Sequence, residues 1–256
     1  MDRKLILEAY DRYHKPEYLS IDPLVVVHRF RDAKNLDEIA LLSALLAYGR
    51  VNMIIKAIEE ILLRTDNLSD EFINSPLESK VKTLSGFKYR FHIGDDFAIL
   101  FHIFKEIREE SGSLTNFAKE LWSNSNGGED FINRFTTFFK QIAQRYTDYH
   151  RAYFDWLFPS PSKGSPCKRV VMFLRWMVRE DDGIDLGEWS FIPTSELFIP
   201  VDTHVAKVSK RLKITDRKST SWKMSCEITQ NLAKIDQKDP TKFDFSLCRV
   251  GMVEGQ

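Results

Sequence analysis

Asp202 lies where a short helix is predicted to begin. An apolar run at residues 197–201 leads to it, and apolar residues then recur at helical spacing (Val205, Val208 and Leu212). Asp202 and Thr203 both suit the cap of this helix, because a side-chain oxygen of either can accept hydrogen bonds from free N–H groups of the first turn. The cations beyond it fall mostly on the other faces of this helix: Lys207, Lys210 and Arg211. A fixed carboxylate followed by cations suits chemistry on a polyanion, although capping alone also explains Asp202.

Lys168 is the second side chain that suggests chemistry. Three prolines and Gly164 predict a rigid loop at residues 158–166, and Ser165 followed by Pro166 predicts the start of a helix. Lys168 then falls in the first turn, where the helix dipole disfavours a cation by about 0.3–1 kcal/mol. The same field, with partial burial, lowers the pKa of an amine and makes it a better nucleophile. The alternative is a solvent-facing lysine at the corner between loop and helix.

The segment PVDTHVAKVSKRL resembles the one that carries the catalytic aspartate of the helix-hairpin-helix DNA glycosylases, the endonuclease III-like superfamily. The match is a hydrophobic residue followed by Asp202, Thr203 and His204, with a helix that ends in Arg211 and Leu212. In bifunctional members a lysine begins the helix after the hairpin, upstream of the aspartate. Lys168 matches that order. The resemblance implies that Asp202 and Lys168 are catalytic.

Two further segments are similar to the same superfamily. LLSALLAYGRVNMIIKAIEEIL resembles a pair of helices joined by a loop that touches DNA, and Tyr48, Gly49 and Arg50 fall in that loop. Residues 86–90, GFKYR, precede a predicted long helix, as in the oxoguanine glycosylase branch. These segments imply that further residues contact the nucleic acid.

The resemblance implies a DNA repair glycosylase with AP-lyase activity that excises a damaged base, with an oxidised purine favoured. Lys168 would attack C1′ of an extruded nucleotide, and Asp202 would stabilise the sugar cation. The expected partner is double-stranded DNA with a damaged base, and we expect no cofactor and no metal. The residues expected to bind nucleic acid are Tyr48, Arg50, Tyr89, Arg90, Gly164, Ser165, Arg169, Arg175, Trp176, His204, Lys207, Lys210 and Arg211.

The alternative is a non-catalytic nucleic-acid-binding or scaffold protein on the same helical fold. Two departures from the superfamily pattern support it: Leu45 replaces the polar residue that often follows Ser-Ala, and the hairpin holds only Gly164. The four-cysteine iron–sulfur loop that often ends the superfamily's sequences is also absent. The formal charge of zero adds to this, since any basic footprint must be local. An acidic segment at residues 181–188 is either a solvated turn or a metal site; without nearby histidines we expect the turn.

The elements that must position these residues are predicted to be helices, so the fold class is all-α. The predicted helices span 4–13, 23–30, 35–48, 51–63, 95–111, 114–122, 129–146, 166–178, 203–212, 221–232 and 240–252. Hardly any alternation with a period of two occurs, so we predict no strands. The glycosylase resemblance implies one unit with two lobes and a cleft between them, formed by residues 30–150 and by residues 1–30 with 151–256.

Composition bounds the remaining expectations. Hydrophobic residues make up 43% of the chain, enough for one large core or two small lobes. The three cysteines are far apart and odd in number, so they predict no disulfide framework. No apolar run approaches the roughly 18 residues of a membrane-spanning helix. We therefore expect a monomer without a membrane partner, in the cytoplasm and near the nucleoid of a bacterium.

Overall fold

Helices dominate the architecture, as the apolar periodicity predicts. The computed structural model describes residues 1–146, 148–149 and 151–253. The helices are α1 (Arg3–Tyr13), α2 (Leu24–His28), α3 (Leu36–Leu46), α4 (Val51–Arg64), α5 (Asp70–Asn74), α6 (Leu77–Thr83), α7 (Gly94–Ser111), α8 (Leu114–Ser123), α9 (Gly128–Ala143), α10 (Ala152–Asp155), α11 (Lys168–Val178), α12 (Thr203–Arg211), α13 (Trp222–Ala233) and α14 (Asp244–Val253). The fold class is therefore all-α. The predicted lobe boundary at residue 150 and the chain end at 254–256 lie outside the described residues.

One prediction about strands is wrong. Two strands of two residues each, β1 (Lys88–Tyr89) and β2 (His92–Ile93), form an antiparallel pair in which Tyr89 lies opposite His92. Arg90 turns the chain between them with a φ of 54°. Strands this short show no periodicity in a sequence. The strand pair places Phe91 at the tip of its turn, where the side chain is half exposed.

Several helix ends differ from the prediction for identifiable reasons. Helix α11 begins at Lys168 and not at Pro166, because Cys167 precedes it in a left-handed conformation with a φ of 48°. Helix α7 begins at Gly94, where a Cβ atom would lie 2.1 Å from the Leu84 carbonyl oxygen. Only glycine allows the start of α7 to approach the backbone of Leu84, in the turn before β1, this closely.

The buried apolar side chains form two clusters. The larger cluster is built from residues of α2–α11 and the loop that follows α11, with Trp222 and Phe245 added. The smaller cluster joins α1 to residues of α12, α13 and α14. Helix α12 packs closely against α14, because Gly251 leaves no Cβ atom, and one placed there would lie 2.9 Å from the Cβ atom of His204. The two-lobe division remains a prediction.

Buried ion pairs tie α11 to its surroundings. Arg175 donates to Asp244 at 2.5 Å and lies 3.2 Å from Asp185, and Arg179 also donates to Asp185. Asp185 is fully buried, so the prediction of a solvated turn is wrong for this residue. Carboxylates of the acidic segment thus pair with Arg175 of α11 and with Arg179, the residue that follows this helix.

No helix in the described part of the chain combines the length and the apolar character needed to cross a bilayer.

Phe139 tests the larger cluster. It is fully buried, and its ring stacks on Phe158 at 4.4 Å between centroids and contacts Phe135 at 5.0 Å. We expect Phe139→Ala to lower the free energy of unfolding by about 3–5 kcal/mol, measured by urea denaturation. The control Leu63→Ala, at a side chain that is 83% exposed, should change it by less than about 0.5 kcal/mol. Equal effects of the two variants would contradict the placement of Phe139 in the core.

Candidate functional site

A cavity of about 660 Å³ lies where the two apolar clusters meet. Its volume falls within the range of about 300–1,000 Å³ that is typical of small-molecule sites. Its walls come from residues 21–23 and 47–49, Val51 and Ile54 of α4, the tip of the β1–β2 turn, Trp156, α11, the start of α12 and α14. Lys168 and Asp202 both line it.

Asp202 caps α12, as the sequence predicts. Its Oδ1 atom accepts hydrogen bonds from the backbone N–H groups of His204 and Val205, both at 2.9 Å. Within the described residues Oδ2 makes no hydrogen bond. The carboxylate is thus held in one orientation at the cavity wall while one oxygen keeps its capacity to accept.

Lys168 is the first residue of α11, which confirms its predicted place in the first turn. The side chain is half-buried, and its Nζ atom donates to the Ala47 carbonyl oxygen at 3.2 Å. Ala47 follows the last turn of α3, so this bond joins the two helices that meet at the cavity. The free N–H groups at the start of α11 keep the positive end of its dipole beside the amine.

Asp244 forms part of the cavity floor beside both candidates. Burial raises the pKa of the Asp244 carboxyl to about 6. Three nearby charges have smaller effects: the Arg175 guanidinium and the Lys168 ammonium lower this pKa, and the Asp202 carboxylate raises it. Asp202 and Lys168 therefore both lie close enough to act electrostatically on one buried group. Asp22 and Arg249, which pair at 2.5 Å, complete this floor.

Arg169 braces the cavity wall. Its guanidinium donates to the carbonyl oxygens of Leu45, at 3.1 Å, and of Trp156, and it lies 5.1 Å from the centre of the Tyr48 ring. Burial lowers the pKa of Arg169 to about 10, and the nearby Tyr48 acts in the opposite direction. With two carbonyl partners, this arginine is a structural member of the wall, and we exclude it from the residues that contact phosphate.

Tyr48, Tyr89 and His92 form a hydrogen-bonded group behind the cavity. His92 Nε2 donates to the Tyr153 carbonyl oxygen at 2.9 Å, so Nδ1 accepts from the Tyr48 hydroxyl at 2.5 Å. The Tyr89 hydroxyl donates to the Tyr48 carbonyl oxygen at 2.6 Å. Burial raises the pKa of Tyr48 to about 12. Tyr89 is buried and does not line the cavity, so the prediction that it contacts nucleic acid finds no accessible surface.

Two predicted nucleic-acid contacts need correction. Trp176 is fully buried in the larger cluster, and Arg175 is 3% exposed and paired with two carboxylates. Both lie in α11, whose residues from Val170 to Val178 are buried on every face. Neither side chain can reach DNA without repacking the core, and we exclude both from the site.

Of the remaining predicted residues, one lines the cavity and the others do not. His204 lines the cavity and is exposed, with Nδ1 3.2 Å from the Gly251 carbonyl oxygen. The others do not line the cavity: Arg50, Arg90, Gly164, Ser165, Lys207, Lys210 and Arg211. Ser165 is half-buried and its Oγ accepts from the Cys167 N–H, and the rest are exposed. The structure thus brings together Lys168, Asp202, Tyr48 and His204.

Two parts of the cavity were not predicted from the sequence: its acidic floor and its aromatic rim. Asp244 and Arg249 interrupt the apolar run FDFSLCRVGM, and a charged residue inside such a run is a signal for a buried pair. Phe91 and Trp156 line the opening, 65 positions apart in the chain. No local pattern indicates that these two residues meet.

Comparison with known proteins adds one match. The model of a family described as "Protein of unknown function (DUF2400)" matches residues 22–253, which include Lys168 and Asp202. No curated protein and no solved structure gave a significant match to the chain.

His92 should make stability depend on pH. Burial is the main reason why the pKa of His92 is lowered from 6.5 to about 4. The hydrogen bond to the Tyr153 carbonyl raises this pKa, and the positive charges of Arg169 and Arg151 lower it. Between these two pH values the unfolded chain binds the proton and the folded protein does not, so stability is lost as the pH falls. A shift of this size corresponds to about 3 kcal/mol.

The measurement is urea denaturation at pH 4.5 and at pH 7, compared between the wild type and His92→Gln. The carboxyls of Asp244 and Glu38, whose pKa values are each raised to about 6, make the folded state more stable as the pH falls. Because both carboxyls are present in the wild type and in the variant, their effect cancels in the comparison. We expect the variant to lose less stability than the wild type on acidification. Tyr48→Phe, which keeps the buried imidazole, should retain the wild-type dependence. An identical loss in His92→Gln would contradict the argument.

Proposed function

The chain belongs to the DUF2400 family, and we propose that it is a DNA base-excision enzyme, a bifunctional glycosylase with AP-lyase activity. The observation that carries the proposal is that Lys168 and Asp202 line one cavity although they come from different parts of the chain. Each lies at the first turn of its own helix. An amine and a carboxylate in this relation are the pair that the helix-hairpin-helix glycosylase resemblance requires.

The chemistry begins with a damaged nucleotide extruded from DNA into the cavity. The Lys168 amine attacks C1′ as the bond from C1′ to the base breaks, and the bonding electrons leave with the base, which takes up a proton. The new C–N bond leaves a positive charge on the nitrogen, which gives up one proton. The C1′–O4′ bond then breaks, O4′ takes up a proton, and a protonated Schiff base forms. Loss of a proton from C2′ with cleavage of the C3′–O bond then releases the 3′ phosphate, which keeps the electrons of that bond. Asp202 stabilises the positive charge on the sugar and accepts the proton that the amine loses.

The elements that line the cavity also carry exposed cations, which suit this substrate. Lys207, Lys210 and Arg211 lie exposed on α12, and Arg50 and Arg90 are exposed on the side formed by α4 and the β1–β2 turn. Phosphate oxygens of double-stranded DNA would bind these cations, and the loop at Gly164 and Ser165 would contact the backbone near Lys168. Because the net charge is zero, binding depends on these local groups.

We propose an oxidised purine as the favoured base and a monomer as the active species.

The rival proposal is a non-catalytic nucleic-acid-binding protein on the same fold. A cavity filled by aromatic side chains would favour it, since a base would then have no room. Trp176 is buried elsewhere in the larger cluster, and the cavity of about 660 Å³ is large enough for a base. The open cavity favours the enzyme.

Borohydride trapping tests the lyase step. The protein is incubated with a duplex that contains 8-oxoguanine, and borohydride reduces any Schiff base to a stable covalent adduct. We expect a trapped adduct in the wild type, none in Lys168→Gln, and a rate of adduct formation at least about 100-fold lower in Asp202→Asn.

Lys163→Gln is the matched control, because Lys163 is an exposed lysine five residues before Lys168, in the segment that leads into α11. It should form the adduct at the wild-type rate. The lyase proposal fails if the wild type forms no adduct with a panel of damaged bases or with an abasic site. It also fails if Lys168→Gln, shown to be folded by circular dichroism, still forms one.

A further inference from the structure

Three aromatic side chains lie exposed together at the rim of the cavity. Phe91, Tyr153 and Trp156 are 50%, 37% and 56% exposed, and the distances between their ring centroids are 5.0–6.0 Å. Phe91 and Trp156 also line the cavity opening. We call these three residues the aromatic platform. Large aromatic side chains are normally buried, so a contiguous exposed group of them marks a binding surface.

Backbone contacts hold the platform in place. The Tyr153 carbonyl oxygen accepts from His92 Nε2, and the Trp156 carbonyl oxygen accepts from Arg169. Arg169 is the neighbour of Lys168 in α11. The platform is thus fixed in advance relative to the candidate nucleophile, and binding there requires little ordering of the backbone.

Cations flank the platform. The Arg151 guanidinium lies 5.1 Å from the centre of the Tyr153 ring and pairs with Asp96, and Arg90, in the turn that carries Phe91, is exposed. Arg50 is exposed at the start of α4. Flat aromatic faces bordered by cations match the two parts of an unpaired nucleic-acid strand, since the bases stack on the rings and the phosphates contact the cations.

We propose that the aromatic platform binds unpaired bases of the DNA strand that enters the cavity, so that single-stranded DNA is a better ligand than a fully paired duplex. The inference rests on the proposed function in taking DNA as the partner. In a duplex each base is covered by its neighbours, and its face cannot reach the rings. In a single strand or a melted bubble the bases adjoining the target are free to stack on Phe91, Tyr153 and Trp156.

Tryptophan fluorescence reports directly on the platform. Trp176, Trp189 and Trp222 are buried and Trp122 is half-buried, so Trp156 is the most exposed tryptophan of the described residues. Titration with a thymidine oligonucleotide of about 15 nucleotides should quench this fluorescence to saturation. We expect a Kd about tenfold lower than for a fully paired duplex of the same length, and about tenfold weaker binding of the single strand in Phe91→Ala and in Tyr153→Ala.

Two controls distinguish base stacking from non-specific hydrophobic binding. Leu63→Ala, at an exposed apolar residue near the other end of α4, should leave the Kd unchanged. Phe91→Leu, which keeps an apolar side chain but removes the flat ring, should weaken binding nearly as much as Phe91→Ala. Wild-type affinity in both Phe91 variants, or duplex binding as tight as that of the single strand, would overturn the proposal. Quenching by anionic phospholipid vesicles and not by DNA would overturn it in favour of a membrane surface.

The outcome is separable from that of the trapping experiment. If Lys168→Gln binds the oligonucleotide as the wild type does but the wild type forms no trapped adduct, the platform is supported and the lyase proposal fails. If the wild type is trapped on a fully paired duplex and the platform variants change neither binding nor trapping, the lyase proposal is supported and the platform fails.

Discussion

Arg175 is the residue on which the geometry of the cavity depends most. Its guanidinium bridges Asp244 in α14 and Asp185 in the loop after α11, and all three groups are almost completely buried. Leaving any one of them unpaired in the core would cost about 3–5 kcal/mol. Lys168 lies two turns before Arg175 on the same helix, and α14 packs against α12, which Asp202 caps. This pair of bonds therefore sets where the amine and the carboxylate stand relative to each other.

The helices themselves follow from local sequence. Apolar residues at helical spacing predict α4 and α8 to within one residue, because this signal depends only on neighbours in the chain. The sequence offers Ser219 or Ser221 as the cap of α13 and Asp202 or Thr203 as the cap of α12, and the structure has Ser221 and Asp202. The start of α11 is displaced by Cys167, whose left-handed conformation is rare for a residue with a side chain and is not indicated by its type.

The side-chain environment is less predictable, because it depends on what packs against each helix. Arg175 and Trp176 suggest a surface when α11 is considered alone. The helix is instead enclosed on every face from Val170 to Val178, and Arg175 is paired with Asp185 and Asp244, which lie 10 and 69 positions further along the chain. The pairing of Lys168 with Asp202 came from a family resemblance, since 34 residues separate them and no spacing rule brings them together. The floor at Asp244 and the rim at Trp156 depend on long-range contacts in the same way.

The packing of α1 has a consequence for the order of folding during synthesis. Helix α1 contacts α14, its residues belong to the smaller cluster, and the Asp2 N–H donates to the Leu212 carbonyl oxygen. At typical rates of translation the partners of α1 emerge from the ribosome about 10–40 s after it does. The larger cluster, from α2 to α11, has no such dependence on late segments, apart from Trp222 and Phe245. The apolar face of α1 therefore stays exposed to solvent until α12–α14 have been synthesised. During this interval chaperones have their best access to that face.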